Sequence, residues 1–130
     1  MKDNVILIIE DDETNMSLIR SVLELGPCQV LEAKNAERGI QLAQEHHPNL
    51  IIMDIRLPEM NGLEASRFIK DSPDLKDIPI VAITGYDNKE DEDLAIDIGC
   101  AAYLRKPIDV RKFRRTIAML LSVYCPGYFQ

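Results

Sequence analysis

Four short stretches of this sequence carry residue types that could do chemistry together. They are the acidic run Glu10-Asp11-Asp12-Glu13, the lone carboxylate Asp54, the hydroxyl of Thr84 before Gly85, and Arg105-Lys106-Pro107. Gathered in one place, several carboxylates would repel one another and raise one another's pKa. A divalent cation relieves that repulsion. An all-oxygen ligand set favours Mg²⁺, with Mn²⁺ or Ca²⁺ possible in its place, over zinc. A cation, an ammonium and a hydroxyl around one aspartate are the parts that stabilise a phosphoryl group in transfer. Asp54 is then the nucleophile, and an aspartyl phosphate the covalent product.

Taken singly, each stretch has a plainer reading. An acidic run after a strand can be a solvated loop or a favourable charge at a helix N-terminus. A strand-terminal aspartate caps turns, a threonine before glycine can be turn chemistry, and a lysine before proline is usually just exposed. The case rests on where the elements put all four. Val5 to Ile9, Leu50 to Met53 and Ile80 to Ile83 are continuous apolar runs, the pattern of strands buried on both faces. Gln29 to Ala33 and Ala101 to Leu104 read as shorter strands. Helices are expected over Asn15 to Leu25, from Asn35 to before Pro48, over Leu63 to Asp71 with Phe68 and Ile69 inward, and from Asp87 to Ile98 with Gly99 as the stop. A last helix runs from the cap Asp109 with Val110, Phe113, Ile117, Leu120 and Leu121 on one face.

Strand and helix alternate five times, which predicts an α/β fold with a parallel sheet covered on both faces. In such sheets, sites form at the carboxyl ends of the strands. All four chemical stretches fall there, after the first, third, fourth and fifth strands.

Composition removes competing classes. The chain has 130 residues, 46% of them hydrophobic, enough for one domain with one core. Its net charge of −7 argues against direct nucleic-acid binding and against docking on anionic lipid. No apolar run approaches a membrane span, and the N-terminus is no signal peptide. Cys28, Cys100 and Cys125 lack the spacing of a disulfide framework or a metal site and fit a reducing cytoplasm. Phosphate-cradling glycine loops are absent, so nucleotide binding is unsupported. His46 and His47, at the end of the second helix, read as surface residues.

With these residues in place, the chain resembles the receiver domain of two-component response regulators. The resemblance runs from residue 4 to about 123. It rests on the acidic pair after strand one, Asp54-Ile55-Arg56-Leu57-Pro58-Glu59-Met60-Asn61-Gly62 after strand three, Thr84 after strand four, and Lys106-Pro107 after strand five. It implies the flavodoxin-like strand order 2-1-3-4-5. It implies that Asp54 accepts a phosphoryl group from a sensor histidine kinase or a histidine phosphotransfer protein. Glu10 and Asp11 match the acidic pair that holds Mg²⁺, with Asp54 and the backbone carbonyl of Arg56 completing the protein ligands. Thr84 matches the hydroxyl that turns to the phosphoryl oxygen, Lys106 the salt-bridging lysine, and Tyr103 the aromatic that swings inward when the threonine moves. Pro107 is expected after a cis bond, and Pro58 and Gly62 shape the loop after Asp54.

Some positions depart from the family pattern. Glu10 stands where aspartate is common, and Gly85 where alanine or serine is usual. Arg56 and Tyr86 occupy variable positions bordering the phosphoryl group. The phosphatases that resemble this fold carry a second aspartate where Arg56 stands, which counts against an enzyme with external turnover. A phosphorylation-independent interaction module is the other alternative. The expected domain is 1–123, with 124–130 as a C-terminal tail and no output domain, as in single-domain regulators. Residues 86–99 carry six acids and one base, and residues 105–115 six bases and one acid. These charges suggest a homodimer through the fourth helix, fifth strand and final helix, the surface expected to change its affinity for a downstream protein target.

Overall fold

Continuous runs of Val, Ile and Leu can be buried on both faces only if helices cover both sides of the sheet, and the chain folds that way. A computed structural model describes residues 4–26, 28–57, 60–85 and 89–124. The elements are β1 (Asn4–Ile9), α1 (Glu13–Leu23), β2 (Cys28–Ala33), α2 (Ala36–His46), β3 (Leu50–Asp54), α3 (Gly62–Asp71), β4 (Ile80–Gly85), α4 (Lys89–Ile98), β5 (Ala102–Lys106) and α5 (Val110–Tyr124). The five strands pair in parallel in the order β2-β1-β3-β4-β5. This is the expected flavodoxin-like order.

Alternate residues along each strand serve opposite faces. Ile6, Ile8, Leu50, Ile52, Val81 and Ile83 pack with Met16 and Ile19 of α1 and Phe113 and Ile117 of α5. Leu7, Ile9, Ile51, Met53 and Ile80 pack on the other side with Leu42 of α2 and Ile69 of α3. A third, small cluster joins Ile55, Ala82 and Ala95. Ala95 is the one buried residue of α4, so that helix is the most thinly anchored of those on its face.

Local chemistry sets the helix ends. Side chains of Asp12, Asn35 and Asn61 cap α1, α2 and α3 by accepting from Asn15, Arg38 and Glu64 amides. α2 closes on His47 in the left-handed region, and α4 on Gly99 at φ 108°.

Several boundaries and orientations differ from expectation. The first helix starts two residues early, because Asp12 is its cap, and ends at Leu23, leaving Leu25 71% exposed. Arg105 and Lys106 lie within β5 rather than after it. Phe68 is not inward but 46% exposed. The buried stripe of α3 is Gly62, Ala65, Ser66 and Ile69, an i, i+3, i+4, i+7 set that puts position 68 on the flank. Val110, at the start of α5, is likewise not inward but 39% exposed. Pro58, Tyr86, Asp87 and the tail beyond Tyr124 lie outside the described residues.

Candidate functional site

Register brings the expected residues together. Ile9 and Met53 are partners, so Glu10 and Asp54 follow them at the same level of the sheet. Asp54 pairs with Ile83, and Gly85 with Lys106. The carboxyl ends of four strands therefore meet at one edge.

Glu10 and Asp54 are 2% and 3% exposed, unusual depths for carboxylates. Lys106 Nζ donates to Asp54 Oδ2 at 3.1 Å and lies 3.1 Å from Glu10 Oε1. The backbone amide of Arg56 donates to Asp54 Oδ1 at 3.0 Å. Asp54 is thus held at both oxygens. Glu10 is not. Its contact with Lys106 is an ion pair by distance, but neither of its buried oxygens accepts an aligned hydrogen bond from any described residue.

The electrostatics follow from this geometry. Burial, then the neighbouring Asp54 carboxylate, push Glu10 up to about 8, with Lys106 opposing. Burial alone would lower the Lys106 pKa. The charges of Asp54 and Glu10 outweigh it and hold the ammonium above its ordinary value. One half-buried lysine therefore serves two buried carboxylates, hydrogen-bonding Asp54 and leaving Glu10 without an aligned bond.

The acidic side chains at this edge form a donor set for a divalent cation. Glu10, Asp11 and Asp54 each offer a carboxylate oxygen within 4.8 Å of the others. Asp11 is exposed and gives the cluster an open side. Two orphaned buried oxygens on Glu10 and an all-oxygen set are what a hard cation would satisfy, so the residues fit one. Asp11 and Arg56 also line a depression of about 600 Å³ with Asn61, Glu90 and Asp91.

Thr84 and Tyr103 sit apart from this group. Thr84 is fully buried, and its hydroxyl makes a long 3.5 Å contact with the Gly85 carbonyl. Tyr103, cross-strand from Ala82, packs against the Ile55, Ala82 and Ala95 cluster under α4. Burial raises its phenol pKa, partly offset by a hydrogen bond with Thr84. No hydrogen bond joins Thr84 to Asp54 among the described residues. The Lys106–Pro107 bond is cis. Gly62 lies against the back of the site. A Cβ there would stand 2.1 Å from the Asp54 carbonyl oxygen and 2.8 Å from Ile55 Cα.

Two contacts were not expected from sequence. Arg56 Nη2 lies 3.5 Å from Asp91, and Arg105 Nη2 lies 3.0 Å from Glu92. They tie the first turn of α4 to the loop after Asp54 and to β5. The acidic run 90–93 is a favourable helix start in its own right, so nothing in the sequence singles out two of its members.

Comparison with known proteins agrees with this arrangement. Residues 6–118 match the response regulator receiver domain family. The polar-differentiation response regulator DivK of Brucella ovis is 41% identical over 117 residues, covering 90% of this chain and 95% of that protein. A CheY-like receiver domain protein from Methanospirillum hungatei superposes with a TM-score of 0.87 at 26% identity, covering 95% of this chain and 97% of that one. The receiver domain of the sensor histidine kinase PA1611 from Pseudomonas aeruginosa, solved with a magnesium ion coordinated in its active site cleft, superposes with a TM-score of 0.84 at 25% identity, covering 92% and 98% of the two chains.

Proposed function

The chain belongs to the response regulator receiver domain family, and from that premise we propose that Asp54 is the phosphoacceptor of a two-component signalling switch. The observation that carries this assignment is the buried Asp54 carboxylate, held by Lys106 at one oxygen and the Arg56 amide at the other. Those contacts fix the orientation of the nucleophile, which is a large part of what phosphoryl transfer asks of a protein.

The phosphoryl donor is a phosphohistidine on a sensor histidine kinase or a histidine phosphotransfer protein. A carboxylate oxygen of Asp54 attacks phosphorus, the P–O bond forms, the P–N bond breaks, and the imidazole leaves with a proton. Glu10, Asp11, Asp54 and the Arg56 carbonyl would hold Mg²⁺. A cation held there would supply positive charge to offset the charge developing on the phosphoryl oxygens. Lys106, kept protonated by its two carboxylates, adds a second positive charge. Thr84 donates its hydroxyl to a phosphoryl oxygen, and Tyr103 follows into the space it leaves. The surface α4-β5-α5 then changes its affinity for a downstream target. Residues 1–123 are the working receiver domain, and no external substrate is turned over.

We place the switch in the cytoplasm, which suits the thiol of Cys100. Among the described residues, no helix is long and apolar enough to cross a membrane. A homodimer through α4-β5-α5 would have to use α4 acids of which Asp91 and Glu92 already pair within the chain. Light scattering of free and beryllofluoride-treated protein tests it, since an unchanged mass excludes phosphorylation-driven dimerisation.

The phosphoacceptor assignment is tested by intact-mass spectrometry after incubation with acetyl phosphate. A single phosphoryl adduct is expected with Mg²⁺, and none with chelator or in Asp54→Asn. An adduct that persists in Asp54→Asn would overturn it.

A further inference from the structure

The start of α5 is capped by one acid, Asp109, whose side chain accepts from the Lys112 amide, and beyond that cap it is basic. The N-terminus of a helix favours acidic side chains and disfavours basic ones. α5 has no acid in its first turn, and its first two turns carry Arg111, Lys112, Arg114 and Arg115. All four are exposed. None has an acidic partner among the described residues, whereas two acids of α4 are held by arginines of the same chain. Four exposed cations without an acidic partner among the described residues, two of them in the first turn of a helix and all on a chain of net charge −7, are a feature that folding alone does not require.

Three of them frame a groove. Arg111, Arg114 and Arg115 line an opening of about 360 Å³ between α5 and the end of α1. Its apolar side is made by Leu23, Ile117 and Ala118, the first two buried in the core. Leu25, 71% exposed just past α1, stands on its border. None of these residues belongs to the Asp54 cluster.

We propose that this groove docks an acidic amphipathic helix of a partner protein. Apolar side chains at i, i+3 or i+4 and i+7 would seat on Val22, Leu25 and Ala118, the usual way a helix fills an apolar groove. Carboxylates flanking that stripe would pair with Arg111, Arg114 and Arg115. A guanidinium binds a carboxylate through two parallel hydrogen bonds, so arginine is the cation suited to this task. The apolar floor argues for a helix rather than a nucleic-acid backbone, which would use the arginines and leave the floor bare. The overall negative charge argues against anionic lipid. The proposal is independent of phosphorylation at Asp54 and can fail or stand without it.

The test uses the full chain, ¹⁵N-labelled, and two helical peptides. One places leucines at i, i+4 and i+7 flanked by glutamates, and the other replaces every glutamate with lysine. The glutamate peptide is expected to shift amides of residues 22–26 and 111–118. The double variant Arg114→Glu/Arg115→Glu should weaken it roughly tenfold or more. Leu25→Ser, at an exposed position, should weaken it about threefold. The lysine peptide should prefer the charge-reversed variant to the natural chain. Unchanged phosphoacceptance at Asp54 shows that both variants are folded. Shifts mapping to another face, equal binding of the two peptides, or no shifts at millimolar peptide would each overturn the proposal. So would a concentration-dependent rise in mass that the double variant abolishes, because the occupant would then be a second copy of this chain.

Discussion

Glu10 is the residue under most electrostatic tension. Its folded pKa of about 8 lies above the ordinary 4.5, so the folded state binds more protons than the unfolded state between those values. Stability therefore falls as pH rises across that window, and is fully present only below it. In chelator-treated protein, urea midpoints should drop from pH 5 to pH 8. Glu10→Gln should flatten that dependence, raise stability at pH 8 and weaken Mg²⁺ binding, read by titration calorimetry. A midpoint that rises with pH in the same buffer would contradict the burial of Glu10. The sequence named Glu10 as a site residue from its place after a strand. It could not show that Glu10 lies deeper than Asp11, because depth is set by Ala33, which receives the Glu10 amide from the neighbouring strand.

At the scale of elements, two glycines beside the site have opposite roles. Gly62 opens α3 directly against the last residue of β3, where a Cβ would collide with backbone rather than with a movable side chain. Gly62→Ala should cost about 2 kcal/mol or more in urea unfolding and slow adduct formation at Asp54. Gly85 has nothing within 4 Å of where its Cβ would be. Gly85→Ala should be neutral or stabilising by roughly 0.5–1 kcal/mol, through a stiffer unfolded chain. Asn61-Gly62 was legible as a turn. That its glycine was needed for contact with Asp54 was not, since only the packed helix shows what it touches. Phe68 was misread for a related reason. Hydrophobicity suggested an inward position, whereas the stripe through Ser66 and Ile69 decides the face.

For the molecule as a whole, the inner strands were the most legible feature because a double-faced burial leaves so plain a pattern. Ile52 lies in the centre of the sheet at 1% exposure, and Ile52→Ala should cost about 2–5 kcal/mol. Met119→Ala, on the open side of α5, should stay within roughly 0.5 kcal/mol by the same urea assay. Less legible were the arginine pairs that hold α4, because ion pairs between distant segments follow from the finished arrangement. The two large clusters also differ in how much of the chain they need. The α2–α3 side of the sheet is complete with residues 7 to 80, apart from a flanking contact by Cys100. The α1–α5 side needs residues 6 to 121. During synthesis from the N-terminus, one side can close early while the other waits for the last helix. Until then that face has only Met16, Ile19 and Leu23 of α1 to cover it and lacks Phe113, Ile117, Leu120 and Leu121, and a ribosome stalled within α5 would hold out a half-roofed sheet that a chaperone can grip.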